Sequence, residues 1–197
     1  MPGLLAPLSW FRSLVGSEIP MRKLITEKQA VELYGDPGRK RVAADPAWEK
    51  ARITYCGGSG KAAHPVMPGV PPRYWFAVHE LVEPRMCAGF TAAKAACPTY
   101  EIERAGCYVY RHQRHDPARP LSLHSWGIAV DVDADRNSAR QFARGKQPKP
   151  WSPEWLAIWP EGLPEAWVRA FCQAGGFDWG GDWTGFLDPM HLQIRAP

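Results

Sequence analysis

The stretch SLHSWGIAVDV, residues 122–132, decides how this chain folds. Its second half, Gly127 to Val132, alternates with a period of two, which predicts a half-buried strand. Asp131 lies in that strand among strongly apolar neighbours, where an ionised carboxylate is costly unless a positive group pairs with it. His124 comes just before the tight turn that leads into the strand. A metal ion bound by both side chains would satisfy the buried charge.

A second stretch, Asp188-Pro189-Met190-His191, leads into another predicted strand near the C-terminus. In that strand His191 and Gln193 share one face, and apolar side chains occupy the other. Two histidines and one carboxylate fill three positions around a zinc ion and leave the fourth for water. The sequence therefore predicts one zinc per chain, bound by His124, Asp131 and His191.

The remaining patterns predict an α+β fold with a small, mostly antiparallel sheet flanked by helices. Residues 1–20 are interpreted as a poorly ordered lead-in, and residues 21–197 as a single domain. The first predicted helix begins with a capping box at Thr26 and ends at Gly35, and a second helical stretch lies between Trp75 and Ala96, with a kink or break at Pro84. A strand is predicted from Ala105 to Tyr110. A short helix follows Ser152, and a longer one runs from Pro164 to Ala174.

The composition excludes several kinds of site. The five cysteines are odd in number and never form C-x-x-C, so neither a zinc ribbon nor a fully paired disulfide framework is expected. We predict reduced core thiols that do not bind the metal and form no essential disulfide. The formal net charge of +4 comes from scattered basic residues without a nucleic-acid-binding motif. We therefore expect no nucleic-acid partner.

The first twenty residues, MPGLLAPLSWFRSLVGSEIP, do not resemble a secretion signal. They lack a basic start, and two prolines, Trp10 and Arg12 interrupt the apolar run. No stretch reaches the length of a membrane-spanning helix. We expect a monomer that is cytoplasmic when made, does not insert into a membrane, and reaches its place of action by another route.

Three motifs resemble those of one peptidase family. They are the S-x-H-x-x-G-x-A-x-D pattern of residues 122–131, the segment Trp179-Gly180-Gly181-Asp182-Trp183, and Asp188-Pro189-Met190-His191. Together they resemble the zinc D-alanyl-D-alanine carboxypeptidases and L-alanyl-D-glutamate endopeptidases, a family that includes phage endolysins, and the resemblance covers residues 75–195. It implies a hedgehog/D-Ala-D-Ala-peptidase-like fold and hydrolysis of the stem peptide of bacterial peptidoglycan.

The resemblance also implies roles for individual residues. His124, Asp131 and His191 match the positions of the family's zinc ligands. Asp188 matches the carboxylate that accepts and returns a proton during catalysis. Arg111 matches an arginine that polarises the scissile carbonyl group.

Two further residues are candidates for substrate binding, and two positions depart from the family pattern. Ser122 would hydrogen-bond either the substrate or the backbone, and Trp183 would either line the substrate groove or pack in the core. Gln193 stands where the family often has a glutamate. The proposed acid/base, Asp188, is an aspartate, which is more similar to the endolysin branch.

The leading hypothesis is a phage or prophage endolysin of the L-alanyl-D-glutamate endopeptidase type that acts on the cell wall. The alternatives are a D-alanyl-D-alanine carboxypeptidase or dipeptidase, and a non-catalytic, metal-bearing phage structural module. The other histidines, His64, His79, His112 and His115, are interpreted as structural or solvated groups. Asp133 would either orient a ligand histidine or cap a turn.

Overall fold

Short helices and short strands make up the fold in the computed structural model, which describes residues 24–39, 42–57, 67, 69–70, 75–142 and 146–196. The predicted lead-in and His64 lie outside the described residues. The helices are α1 (Glu27–Tyr34), α2 (Pro46–Arg52), α3 (Glu83–Ala96), α4 (Pro153–Ile158) and α5 (Glu165–Gly175). The strands are β1 (Ile53–Gly57), β2 (Trp75–His79), β3 (Ala105–Gly106), β4 (Ala129–Val132), β5 (Arg140–Gln141), β6 (Phe177–Trp179), β7 (Phe186–Leu187) and β8 (His191–Ile194).

The central sheet is antiparallel throughout and has the strand order β3-β4-β8-β6. Two antiparallel ribbons, β1 with β2 and β5 with β7, accompany it. Helices α3 and α5 pack against each other, and α5 leads directly into β6. The predicted α+β fold class is therefore confirmed. None of the helices in the described part of the chain combines the length and apolar character that a bilayer span requires.

The close packing of α3 against α5 depends on Gly89. A Cβ atom added at Gly89 would lie 3.0 Å from the ring of Phe171 on α5. Phe171 is fully buried and stacks on Trp167, with ring centroids 5.3 Å apart. The apolar face predicted for the helix of residues 164–174 therefore forms the core.

The predicted helix ends follow ordinary capping chemistry. Thr26 and Gln29 form the predicted capping box before α1, in which each side chain bonds the other residue's backbone. Ser152 accepts a hydrogen bond from the backbone N–H of Trp155 at the start of α4. Gly176 ends α5 with a φ of 69°, in the left-handed region that glycine adopts at little cost.

The predicted helical stretch between Trp75 and Ala96 is wrong in its first part. β2 occupies the first five of these residues, where the backbone pairs with β1 as a strand. The helix begins only at Glu83, and Pro84 lies in its first turn. A proline is tolerated there without a kink, because the N–H groups of the first turn have no partner within the helix.

The strand predicted from Ala105 to Tyr110 is also shorter than expected. β3 covers only its first two residues, because the backbone beyond them bonds two other segments. The N–H of Tyr108 donates to the carbonyl of Ala77, and that of Val109 donates to the carbonyl of His124. The chain at this point therefore connects β2 to the turn that carries His124.

Candidate metal centre and catalytic cleft

Asp131 and His191 lie directly opposite each other on neighbouring strands of the central sheet. In the register of β4 and β8, these two residues are Cα partners. Side chains of directly paired residues point to the same face of a sheet, with Cβ atoms about 5 Å apart. The pairing therefore brings a carboxylate and an imidazole together, although 60 residues separate them along the chain.

A short 3-10 helix, Leu123–Trp126, places His124 beside this pair. The Ser122 hydroxyl accepts a hydrogen bond from the backbone N–H of His124 at the start of the helix, at 3.4 Å. Gly127 ends the helix with a φ of 66°, and a Cβ atom there would lie 2.8 Å from the backbone nitrogen of His79. Only glycine fits this tight turn, which explains its place in the motif.

The three side chains converge on one point. His191 Nδ1 lies 2.9 Å from Asp131 Oδ1, and His124 Nε2 lies 3.3 Å from Asp131 Oδ2. The two imidazole nitrogens, His124 Nε2 and His191 Nδ1, are 3.3 Å apart. Two nitrogen ligands at zinc-binding distance in a tetrahedral arrangement would be separated by about 3.3 Å. The donor set and its spacing therefore fit a zinc ion.

Hydrogen bonds at the far side of each ring select the nitrogen that faces the cluster. His124 Nδ1 lies 2.6 Å from the carbonyl oxygen of Cys107, to which it donates, so Nε2 remains free as a ligand atom. His191 Nε2 lies 3.2 Å from Gln193 Oε1, so Nδ1 faces Asp131. The amide oxygen of Gln193 thus accepts the hydrogen bond that a glutamate would accept at this position.

The protonation of the cluster follows from its burial and its contacts. Burial raises the pKa of Asp131, but hydrogen bonds from His124 and His191 outweigh burial and hold the pKa well below its usual range. Burial lowers the pKa of His191, but the hydrogen bond and charge of Asp131 raise it above its ordinary value. Asp131 is therefore an ionised carboxylate, the form that binds a cation.

Asp188 lies beside the cluster and has a buried oxygen without a partner. Asp188 Oδ1 accepts no hydrogen bond from any described residue. Burial raises the pKa of this carboxyl group, although the nearby positive charge of His191 opposes the shift. The backbone N–H of Asp188 donates to Gly180, and the N–H of His191 donates to the Asp188 carbonyl, both at 3.0 Å. Backbone hydrogen bonds thus hold the turn that carries the carboxyl group, and one of its buried oxygens has no hydrogen-bond partner among the described residues.

Arg111 lies in the same cleft, held through its backbone. Ser125 Oγ accepts from the N–H of Arg111 at 3.0 Å and donates to its carbonyl oxygen at 2.9 Å. The N–H of Ser122 donates to the same carbonyl at 2.9 Å. The positive charge of Arg111 acts to lower the pKa of Asp188, so the two groups are electrostatically coupled. Ser125 was not singled out from the sequence, since a buried serine carries no distinctive pattern.

These residues line a cleft of about 530 Å³. Its walls include all of the predicted site residues, namely Arg111, Ser122, His124, Asp131, Trp183, Asp188 and His191. The structure therefore brings together every residue that the sequence predicted for the site, and these include the three that could hold a metal ion.

Residues 115–194 match the family model described as D-alanyl-D-alanine carboxypeptidase. The chain is similar to these peptidases. The match contains the three candidate ligands and Asp188, spans less than half of the chain, and begins four residues after Arg111. No curated protein and no solved structure shows a significant match. The match supports a peptidase, a hydrolase that acts on peptides, and the peptidases of this family are zinc-dependent.

The two predicted substrate-binding residues of this peptidase-like site occupy different environments. The Ser122 hydroxyl caps the 3-10 helix that carries His124, which favours the backbone alternative for its role. Trp183 lines the cleft, with its ring centroid 5.4 Å from that of His191. Its indole Nε1 is buried without a hydrogen-bond partner among the described residues.

The other polar candidates contribute to the fold of the peptidase-like domain. His79 is fully buried, and its Nδ1 accepts from the backbone N–H of Leu81 at 3.2 Å. Asp133 Oδ1 accepts from the N–H groups of Glu103 and Arg104, each at 2.8 Å, so the side chain joins its turn to a distant segment, which is neither of the two roles predicted for it. None of the five cysteines forms a disulfide, and among the described residues none belongs to the group that could hold a metal ion.

Proposed function

We propose that this chain is a zinc peptidase that hydrolyses peptide bonds in the stem peptide of bacterial peptidoglycan, in the manner of an L-alanyl-D-glutamate endopeptidase of the endolysin type. The observation that carries the proposal is the buried cluster of His124, Asp131 and His191 beside the unpartnered oxygen of Asp188. A purely structural metal site has no need of such a carboxylate. The Asp188 carboxylate therefore favours an enzyme over a non-catalytic metal-bearing module.

The residues of the cluster would hold the zinc ion through His124 Nε2, His191 Nδ1 and a carboxylate oxygen of Asp131. When bound, zinc supplies Lewis acidity, which lowers the pKa of water and polarises a carbonyl group. Gln193 and the Cys107 carbonyl keep the two imidazole rings oriented, and such supporting hydrogen bonds contribute strongly to metal affinity.

Asp188 is the group that moves the proton. Its free Oδ1 accepts a proton from the water that attacks the peptide carbonyl carbon, and then delivers that proton to the departing amine. Arg111 donates to the carbonyl oxygen as negative charge develops on it, a contribution of about 3 kcal/mol for one well-placed donor.

A second candidate function is that of a D-alanyl-D-alanine carboxypeptidase, which the description of the matching family favours. The same residues serve both reactions, because each breaks an amide bond with the same proton transfers. The two reactions differ only in which bond of the stem peptide lies beside Asp188.

The test is incubation of the purified, zinc-loaded chain with purified peptidoglycan, followed by identification of the released groups. An endopeptidase exposes new amino termini of D-glutamate and reduces the turbidity of the wall suspension. A carboxypeptidase releases free D-alanine and leaves the turbidity unchanged. If neither product forms while zinc is stoichiometrically bound, the proposed function is wrong.

A further inference from the structure

Arg114 lies in the cleft without a carboxylate partner among the described residues. It lines the same cavity as Asp188 and the three candidate metal ligands. Its guanidinium carbon lies 4.9 Å from the centroid of the Phe186 ring, so a flat apolar face supports the cation. Arg119, also in the cleft, is paired with Asp116 at 3.4 Å. Within the described ranges, Arg114 therefore offers a positive charge that no ion pair neutralises, although Glu27 also lines the cleft.

The backbone at Arg114 is held in a strained conformation. Arg114 and the next residue, His115, have φ values of 55° and 56°, in the left-handed region that residues with side chains rarely adopt. Arg114 lies in a loop, residues 112–121, whose two ends are in contact. His112 Nδ1 lies 2.7 Å from the carbonyl oxygen of Arg119, and His112 and Leu121 form an isolated antiparallel β-bridge. These contacts hold the loop in the conformation that Arg114 adopts. Strain of this kind persists where the surrounding structure forces a side chain into a particular direction.

Arg114 lies near the two residues that are proposed to act in catalysis, Asp188 and Arg111. Phe186, which supports its guanidinium, comes two residues before Asp188, a separation of about 7 Å along an extended chain. Arg111, assigned above to the scissile carbonyl, comes three residues before Arg114 and lines the same cleft. A peptide that reaches His124, Asp131 and His191 therefore passes close to a second arginine, for which the described part of the chain provides no carboxylate partner.

We propose that Arg114 determines substrate specificity by binding the carboxylate on the residue whose amine leaves when the peptide bond is cut. This inference rests on the proposed function. The guanidinium forms two parallel hydrogen bonds with a carboxylate, a geometry that arginine provides and lysine does not.

Both candidate reactions present the same chemistry at this point. In the bond between L-alanine and D-glutamate, the leaving amine belongs to a D-glutamate that is linked onward through its side chain, so its α-carboxylate is free. In the bond between two D-alanines, the leaving amine belongs to the terminal residue, whose carboxylate is also free. In each case a carboxylate is attached to the carbon that bears the leaving nitrogen.

The test uses three synthetic stem pentapeptides of the sequence L-Ala-γ-D-Glu-L-Lys-D-Ala-D-Ala. One is unmodified, one has the D-glutamate α-carboxylate converted to a carboxamide, and one has a C-terminal carboxamide. We expect the wild-type, zinc-loaded chain to show a KM about 10- to 100-fold higher for the peptide whose leaving-side carboxylate is amidated. The peptide that shows this penalty identifies which carboxylate is bound.

Arg114→Met should abolish the penalty by raising the KM of the unmodified peptide, with kcat and zinc content unchanged. Arg114→Lys should retain part of the preference, because lysine keeps the charge without the paired hydrogen bonds. Arg119→Met is the matched control, since it removes an equal charge from the same cleft but one already paired with Asp116. It should leave the preference unchanged.

Three results would overturn the inference. One is an Arg114→Met protein that keeps the wild-type preference, and another is an Arg119→Met protein that loses it to the same extent, which would indicate a general field of charge. In both cases cleavage by the wild type leaves the proposed function standing. The third is failure of the wild type to cleave any of the peptides, which would remove the proposed function together with the inference.

Discussion

The ligand atoms of the cluster are determined by single hydrogen bonds. His124 presents Nε2 because its Nδ1 is bonded to a backbone carbonyl, whereas His191 presents Nδ1 because its Nε2 is bonded to Gln193. The sequence motifs predicted these two residues and Asp131 as ligands. They did not predict which ring nitrogen of each histidine faces the metal, because Cys107 is brought to His124 only by the tertiary fold.

The assignment of His124 as a ligand predicts the effect of removing it. His124→Ala leaves Asp131 and His191 as two ligands, too few to retain zinc against dialysis. We expect near-complete loss of zinc from the purified protein, measured by elemental analysis. His112→Ala is the control, because His112 lies in the loop away from the cluster and should leave zinc stoichiometric. Stoichiometric zinc in His124→Ala would contradict the assignment.

The contact between Gln193 and His191 predicts a smaller effect on metal affinity. Gln193→Ala removes the acceptor that orients the His191 ring, and loss of such a supporting group typically weakens metal binding by about 10- to 100-fold. Gln193→Glu restores an acceptor with a negative charge and should bind zinc at least as tightly as the wild type. The measurement is competition with a chelator of known affinity. Equal zinc affinity in Gln193→Ala and the wild type would show that the contact has no effect.

At the scale of elements, the site depends on the alignment of β4 with β8 and on two turns that close onto them. The alternation of residues 127–132 and of the segment after Pro189 predicted β4 and β8, and the capping signals predicted the ends of α1, α4 and α5. The helix predicted between Trp75 and Ala96 begins too early, and the predicted strand that contains β3 is too long. In both segments the backbone bonds partners from distant parts of the chain, which the sequence pattern does not reveal. Periodicity describes which face of a segment is apolar, but not which segment lies beside it.

The packing of α3 on α5 predicts a defined cost for a larger residue at Gly89. Gly89→Leu places new atoms against the buried ring of Phe171, and overpacking of this kind costs about 1–3 kcal/mol. The measurement is the free energy of unfolding from denaturant titration. Gly106→Leu is the control, because a Cβ atom there meets nothing within 4 Å. Equal stability of the two variants would show that α3 and α5 do not meet as described.

At the scale of the whole molecule, zinc should stabilise the fold. The three candidate ligands lie on two strands and a turn, so only the folded state would bind the metal. Such a metal raises the free energy of unfolding by about 2.7 kcal/mol when its concentration is 100 times the Kd. For a domain of this size, we expect Tm to fall by about 5–10 °C when the metal is removed with a chelator. A melting curve unchanged by the chelator would argue against a buried metal.

The same melting experiment tests the prediction for the cysteines. None of the five forms a disulfide in the structure, so a strong reductant that does not bind zinc should change neither Tm nor activity. A large decrease in either, with zinc retained, would indicate an essential disulfide.

The central claim is that Asp188 performs proton transfer and does not bind the metal, and Asp188→Asn tests it most directly. The amide keeps the size of the side chain but cannot accept the proton, so the zinc content and Tm should remain those of the wild type. Loss of a general base typically costs on the order of 100- to 10,000-fold in rate. The measurement is cleavage of purified peptidoglycan per zinc-loaded molecule. The account predicts stoichiometric zinc with cleavage reduced to that extent, whereas stoichiometric zinc with near-wild-type cleavage would contradict it.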